Sequence, residues 1–336
     1  MVTKLAKAKL LLLSTGGTIA SVVSDEGLAP GESGEDLLKM VGNLPYQIDV
    51  KDILNLDSSN IQPEEWKVIA EDIYKYRHEY DGIVVSHGTD TMAYTASMMT
   101  FMLQNIDIPV VFTGSQVPIN VLLSDAPDNM RLAFAAAASL QPGIYLAFDS
   151  KVMRGCRAVK VRTTAFNAFE SVNFPPVAEV TSDGLEIKLP EQWQPRQCIL
   201  NTAIDTNVSL IKLFPGFDPT LLHALAKNGC HGIVIEAYGL GGMTFIRRNV
   251  AAAIGELIRQ GIPVIAASQC LYERSDLTKY EVGRQALLEG AISARDMTSE
   301  SAITKLMWGL GQGMGVKDID RFFNTNVAGE VTIDEA

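Results

Sequence analysis

A rhythm in the chain constrains its fold more than any single residue does. Short apolar runs alternate with segments of helical period, in two sets separated by one lapse. "KLLLLSTGG", from Lys9, ends in a glycine turn, and "YQIDVKDILNL" follows a polar, Gly-rich stretch. "QPEEWKVIAEDIYKYRHEY" sets Pro63 early in a helix, with Glu64 and Glu65 at its positive end. Its apolar face is Trp66, Ile69 and Ile73 with Tyr76 or Tyr80. "DGIVVSHG" reads as a buried strand, "TDTMAYTASMMTFMLQN" as a helix, "IPVVFTGS" as a strand, "MRLAFAAAASL" as a helix and "GIYLAFDSKV" as a strand. This order predicts parallel strands with helices on both faces.

The pattern lapses over Leu189–Asn207 and resumes with "SLIKLFPG", "PTLLHALAKNG", "GIVIEAYGLGG", "NVAAAIGELIRQG", "IPVIAASQC", "YEVGRQALLEG", "SAITKLMWGLGQ" and a last helix near Val316–Asn324. The expected organisation is a large α/β domain over 1–190, a linker over 191–207 and a smaller α/β domain over 208–336. A chain of 336 residues suits two domains.

With 47% hydrophobic and 20% charged residues, the chain can bury a core that needs no metal or disulfide staple. A formal charge of −11 repels phosphate backbones, which argues against a nucleic-acid partner. Cys156, Cys198, Cys230 and Cys270 form no CxxC pair and read as reduced side chains of a cytoplasmic protein. Lys4, Lys7 and Lys9 before Leu10–Leu13 imitate a secretion leader. The leucine run is shorter than the roughly 7–15 residues of a leader core and runs straight into glycines, so a buried first strand is expected. No stretch approaches the roughly 20 apolar residues that cross a bilayer, so no membrane partner is expected.

In open parallel sheets, ligands sit beyond the carboxyl ends of the strands. There the sequence places Ser14-Thr15-Gly16-Gly17-Thr18, Asp57-Ser58-Ser59-Asn60, His87-Gly88-Thr89-Asp90-Thr91 and Gly114-Ser115-Gln116. Hydroxyls, small residues and a carboxylate suit a small polar ligand. The first turn lacks GxGxxG, no GxxxxGK[ST] occurs, and "GLGQGMG" follows a helix. His78, His87, His223 and His231 do not stand at metal-ligand spacing, so neither metal nor cofactor is expected.

A hydroxyl nucleophile remains, and threonine needs a base to activate it. His87 precedes a glycine at a strand end, where packing is the better reading. The alternative base is a lysine whose burial lowers its pKa. Asp90 is placed either to orient such a lysine or to hold a ligand ammonium. Alone, "TGGT" also reads as a tight strand-to-helix turn, and "HGTDT" as a helix N-cap.

Together, "TGGTI" at Thr15–Ile19 and "HGTDT" at His87–Thr91 resemble the two signatures of the bacterial-type L-asparaginases. "LDSSN" at Leu56–Asn60, "TGSQVP" at Thr113–Pro118, "AVKVRTTAFNAFESVNFPPV" at Ala158–Val177 and "ARDMTSESAITKL" at Ala294–Leu306 resemble the same family. The likeness is greatest to its cytoplasmic, type I branch.

That resemblance implies a large N-terminal catalytic α/β domain, with a left-handed crossover, and a smaller flavodoxin-like C-terminal domain. It implies homodimers, often paired as dimers of dimers, and no cofactor. It implies hydrolysis of the side-chain amide of L-asparagine to L-aspartate and ammonia. Thr18 is then the nucleophile that forms a β-aspartyl ester, and Thr89, Asp90 and Lys160 form a hydroxyl-acid-lysine group that relays protons. Ser59 and the backbone at Asp57 and Ser58 are implied to hold the substrate α-carboxylate, and Asp90 its ammonium. Charge-assisted bonds to a zwitterion, and N–H donors facing the amide oxygen, make this chemistry coherent.

Two departures from the family pattern stand out. The lid "SVVSDEGLAPGESG" (Ser21–Gly34) has no tyrosine, and Leu28 stands at its place; Tyr280, from a neighbouring protomer, is the expected substitute. At the family's regulatory asparagine site, matched here by Glu236, Tyr238, Ser268, Gln269 and Cys270, Glu236 replaces an arginine and Val159 a threonine. A carboxylate repels a carboxylate ligand, so activation by asparagine is expected to be weak or absent. Two alternatives share the signatures. A component of an amidotransferase acting on tRNA is expected to carry an extra N-terminal domain, whereas here the first strand starts by Lys9. A non-catalytic amino-acid sensor has no need of Thr18 and Lys160. Glutaminase activity is the near alternative within the same chemistry, because one methylene is worth only about 1–3 kcal/mol of discrimination.

Overall fold

The computed structural model describes residues 8–24, 27–188 and 194–333. It divides between Asn201 and Thr202 into two compact units.

In the first unit, β1 (Lys9–Gly16), β2 (Gln47–Leu56), β3 (Gly82–Ser86), β4 (Pro109–Thr113) and β5 (Gly143–Phe148) pair in parallel in the order β2-β1-β3-β4-β5. The leucine run is the centre of this sheet. Leu10 and Leu12 join the core formed with α1 (Gly34–Val41) and α4 (Ala126–Ser139), through Leu37, Val41, Met130, Ala133 and Phe134. Leu11 and Leu13 alternate to the opposite face and are equally buried. Burial on both faces is why the strand is continuously apolar. Helices α2 (Pro63–Tyr76) and α3 (Met92–Met102) are joined by Trp66 Nε1 donating to Thr95 Oγ1 at 3.0 Å. The buried face of α2 is Trp66, Ile69, Ala70 and Ile73; the periodicity predicts all but Ala70, while Tyr76 and Tyr80 are only half-buried.

One expected strand is two. "GIYLAFDSKV" turns back at Asp149 (φ 46°) and Ser150 (φ 64°), so that β6 (Lys151–Arg154) pairs antiparallel with β5. Two consecutive left-handed residues make the tight hairpin turn whose twist matches its strands. The apolar Val152 and Met153 beyond the turn continue the hydrophobic pattern and conceal the break. Past a short antiparallel hairpin of β7 (Ala158–Lys160) and β8 (Phe169–Ser171), β9 (Ala178–Thr181) and β10 (Gly184–Ile187) complete the sheet beyond β6, again antiparallel. Of the expected linker, residues 191–193 lie outside the described residues. Ile199 and Leu200 pair with Gln104 and Leu103, which ties this stretch to the first unit.

The second unit is a parallel sheet in chain order: β11 (Val208–Lys212), β12 (Gly232–Ala237), β13 (Val264–Ser268) and β14 (Ile292–Ser293). Among the described residues, five helices accompany it: α5 (Thr220–Lys227), α6 (Val250–Arg259), α7 (Glu281–Leu288), α8 (Ser299–Gly311) and α9 (Val316–Phe323). Strand β14 spans two residues, too few to leave a periodic signal. Among the described residues, no helix is long and apolar enough to cross a membrane.

Candidate active site

Three strand ends of the first unit converge because glycines let their backbones touch. Gly16 and Gly17 end β1 at φ 96° and 81°, a region that side chains avoid. A Cβ on Gly17 would lie 2.3 Å from the Gly88 nitrogen, and one on Gly88 would lie 2.6 Å from Ser58 Oγ. The turn bearing Thr18 is thereby pressed against the loop bearing Thr89 and Asp90, and that loop against Asp57–Ser59. Gly17 N–H donates to Leu56 O at 2.8 Å, and Thr18–Ala20 form a single 3₁₀ turn.

The two threonines of "TGGT" differ in setting. Thr15 is fully buried and donates through Oγ1 to Ser86 O at 2.8 Å, so its hydroxyl is committed to the sheet. Thr18 is half-buried, and its hydroxyl makes no hydrogen bond among the described residues. Of the lid, residues 25 and 26 lie outside the described residues. The lid backbone forms an antiparallel pair of Ser21–Ser24 with Gly27–Pro30.

After β2, Asp57 caps a 3₁₀ turn by accepting the Ser59 N–H at 2.8 Å. Ser58 is buried and faces the next loop: its carbonyl accepts from Thr91 Oγ1 at 2.7 Å and its Oγ from Asp90 N–H at 3.3 Å. Ser59 is exposed with its hydroxyl unengaged among the described residues.

The centre of the constellation is Lys160, at the end of β7. Its Nζ donates to Thr89 Oγ1 at 2.7 Å and to Asp90 Oδ1 at 2.6 Å. The lysine side chain is 17% exposed and the aspartate 60%, so the carboxylate keeps an open side. Composition gives no sign of this arrangement, since a lone lysine on a short strand reads as a solvated surface residue. Only the resemblance pointed to it.

His87 is fully buried beneath the site. Its Nδ1 donates to Gly88 O at 2.7 Å, while Nε2 has no partner among the described residues. Burial lowers its pKa to about 4, so the ring is neutral near pH 7. A folded-state value below the unfolded value of about 6.5 means that its contribution to stability is complete above pH 6.5 and is lost as pH falls toward 4. The ring shapes the loop, and its burial leaves no exposed nitrogen to serve as a general base.

The sequence sets Gln116 among the strand-end residues that suit a polar ligand, without a role of its own, and singles out neither Asp125 nor Asn129. Gln116 Oε1 accepts from Thr89 Oγ1 at 3.3 Å, and Asp125 receives the N–H groups of Gln116 and Val117 at 3.0–3.1 Å. Asn129 Nδ2 donates to Asp125 at 3.1 Å and to Gly114 O at 3.0 Å. Their one visible signal was the position of Gln116 past a parallel strand end.

The remaining sequence candidates lie in the second unit. Tyr280, 64% exposed, lines an apolar cavity of about 770 Å³ with Phe214, Phe217, Tyr238, Met243 and Val282. The Glu236 group gathers at the carboxyl ends of β12 and β13, but the side chains of Glu236, Ser268 and Gln269 are engaged with neighbouring groups. Gln269 Nε2 donates to Leu213 O at 2.6 Å and Glu236 O at 2.9 Å. Ser268 Oγ donates to Gly239 O at 2.6 Å and accepts from Cys270 N–H at 2.9 Å. Glu236 Oε1 accepts from Ser299 Oγ at 2.7 Å, and its other oxygen lies 3.7 Å from Lys212 Nζ. Tyr238 is tied through its backbone to Gly242.

Known proteins share both the sequence and this fold. The family model for the asparaginase N-terminal domain matches residues 9–193, and that for the glutaminase/asparaginase C-terminal domain matches residues 207–323. An L-asparaginase of Thermococcus kodakarensis is 44% identical over 327 residues, covering 96% of this chain and 99% of that protein. The solved thermostable L-asparaginase from that organism superimposes with a TM-score of 0.93 over 97% of this chain and 100% of that one. L-asparaginase I from Vibrio cholerae, 28% identical, gives 0.86 over 97% of this chain and 100% of that one. A component of the glutamyl-tRNA(Gln) amidotransferase of Methanosphaera stadtmanae is 35% identical over 97% of this chain and 77% of that protein. With both family models matched in order and a relative aligned nearly end to end, the chain belongs to the asparaginase family.

Proposed function

We propose that the protein is an L-asparaginase that hydrolyses the side-chain amide of L-asparagine to L-aspartate and ammonia through a β-aspartyl ester on Thr18. The observation that carries this reading is Lys160 Nζ in hydrogen bonds to both Thr89 and Asp90, in a loop locked by Gly17 and Gly88 against the turn bearing Thr18. A sensor of amino acids would not need that proton-transfer group. The 44% identical relative, matched over 99% of its length, favours a free amino acid as substrate over a tRNA-bound one.

In this mechanism Ser59 and the backbone at Asp57 and Ser58 hold the α-carboxylate, and the open side of Asp90 holds the α-ammonium. Thr18 Oγ attacks the amide carbon; Lys160, held by Thr89 and Asp90, gives a proton to the departing nitrogen, and the proton lost by Thr18, taken up through Tyr280 of the partner protomer, restores it. Water then attacks the ester, releasing aspartate and restoring the Thr18 hydroxyl. General acid–base catalysis contributes about 10²–10⁴-fold. Lys160→Met is therefore expected to lower kcat by that factor while the protein stays folded, as circular dichroism and an ammonia assay would report.

Activation of Thr18 falls to Tyr280 of the partner protomer in a homodimer. The exposed apolar rim of its cavity, Phe214, Ile246, Tyr280 and Val282, supports an interface there. The engaged Glu236 group, with a carboxylate where an arginine is expected, supports an enzyme without asparagine activation. The three buried thiols and the exposed Cys270, all free, suit a reducing cytoplasm. The test is ammonia release from L-asparagine and L-glutamine across a concentration series. We expect hyperbolic kinetics with asparagine and weaker activity with glutamine. No release from either amide overturns the enzyme reading, and a sigmoidal asparagine curve overturns the unregulated one.

A further inference from the structure

The geometry points to Gln116 as a positioning residue that fixes where the Thr89 hydroxyl sends its proton, and so how Thr89 meets Lys160. This rests on the asparaginase reading and deepens it. Thr89 Oγ1 stands between two groups, Lys160 Nζ at 2.7 Å and Gln116 Oε1 at 3.3 Å. The amide oxygen is an acceptor only, so the Thr89 proton points to Gln116. The Thr89 lone pairs are then left for Lys160, which must approach as donor.

The orientation of the amide is itself fixed. Gln116 Nε2 donates to Ala165 O at 3.2 Å, in the loop joining β7, which ends in Lys160, to β8. An amide turned end for end would set an oxygen against the Ala165 carbonyl and leave the Thr89 proton without its acceptor. The Gln116 backbone is held in turn: Asp125 accepts the Gln116 and Val117 N–H groups, and Asn129 donates to Asp125 and receives Asp149 N–H at 3.0 Å. Gln116 thus joins the end of β4 and the hairpin carrying Lys160 through the Thr89 oxygen.

The consequence is directional. While Thr89 accepts, it meets Lys160 as a donor, which suits an ammonium with only donors to offer. If Gln116 no longer accepts, Thr89 is free to donate to a neutral lysine, and the neutral form gains. Three carboxylates among the described residues bear on Lys160. Asp90 touches it; Glu170, on the paired strand opposite Val159, is bound to Arg162 at 2.8 Å; Asp125, on the Gln116 side, is occupied by backbone N–H groups.

Two variants separate this role from simple support. Gln116→Met keeps the length and removes both amide bonds. Gln116→Glu keeps an acceptor toward Thr89 and adds negative charge. The probe is the ¹⁵N resonance of Lys160 Nζ, assigned by its loss in Lys160→Arg and titrated in the full protein without substrate. We expect its midpoint to move to lower pH in Gln116→Met and to higher pH in Gln116→Glu. In steady-state assays Gln116→Met should lose about tenfold in kcat with KM within about threefold, and Gln116→Glu should recover most of that loss. Unchanged midpoints in both variants, or shifts in the same direction, overturn the proposal. Because the titration needs no turnover, opposite shifts in a protein inactive on asparagine would uphold Gln116 and overturn the asparaginase reading.

Discussion

Thr18→Ala is expected to abolish release of ammonia from L-asparagine, with kcat down at least about 10⁴-fold, while the fold and asparagine binding persist. The size follows from the route. Covalent catalysis splits a difficult amide cleavage into two easier steps, and removing the nucleophile closes that route instead of slowing it. The fold persists because the Thr18 hydroxyl makes no hydrogen bond among the described residues, whereas Thr15 is bonded to Ser86 O. Thr15→Ala should accordingly lower stability more than it lowers kcat. The comparison is made by ammonia assay, thermal unfolding and asparagine titration on the same preparations. Near-native turnover in Thr18→Ala would remove the nucleophile assignment.

The largest expected effect on stability lies far from that chemistry. Lys305, on α8, and Glu330, near the C-terminus, form an ion pair at 2.5 Å in which both side chains are fully buried. Lys305 Nζ also donates to Thr325 O at 2.7 Å and stands 4.7 Å from the Phe322 ring. The Glu330 carboxylate receives the N–H groups of Val327 at 3.1 Å and Ala328 at 2.8 Å. The pair fastens the chain beyond α9 to α8. Breaking a buried pair from one side costs about 3–5 kcal/mol, because the remaining charge is left in a low dielectric without its partner. Lys305→Met should therefore lower Tm by about 10 °C, at roughly 2–4 °C per kcal/mol in a unit of this size. The double variant Lys305→Met with Glu330→Gln should recover part of the loss, since it removes both charges. A Lys305→Met protein within about 1 kcal/mol of the native one would contradict this.

What the sequence disclosed follows the range of the interactions. The leucines of β1 were readable because burial on both faces writes a continuous apolar run. The face of α2 was readable because each turn repeats the same demand. The turn at Asp149 and Ser150 was not, because the apolar pattern runs through it and the reversal is carried by two backbone angles. In the site, Thr18, Thr89 and Asp90 stood out by their strand-end positions. Lys160 was visible only through the family resemblance, because its partners lie 70 and 71 residues away. Gln116 was passed over for a related reason: its contacts with Thr89 and Ala165 exist only once the ends of β3 and β4 and the β7–β8 hairpin are assembled.

Whether Thr18 carries the acyl group decides the mechanism. The direct measurement is mass spectrometry of the protein quenched in acid during turnover of L-asparagine, followed by peptide mapping. The expected result is one aspartyl residue in ester linkage on the peptide containing Thr18, absent from Thr18→Ala. An adduct on the peptide containing Thr89 instead, with that on Thr18 missing, would contradict it.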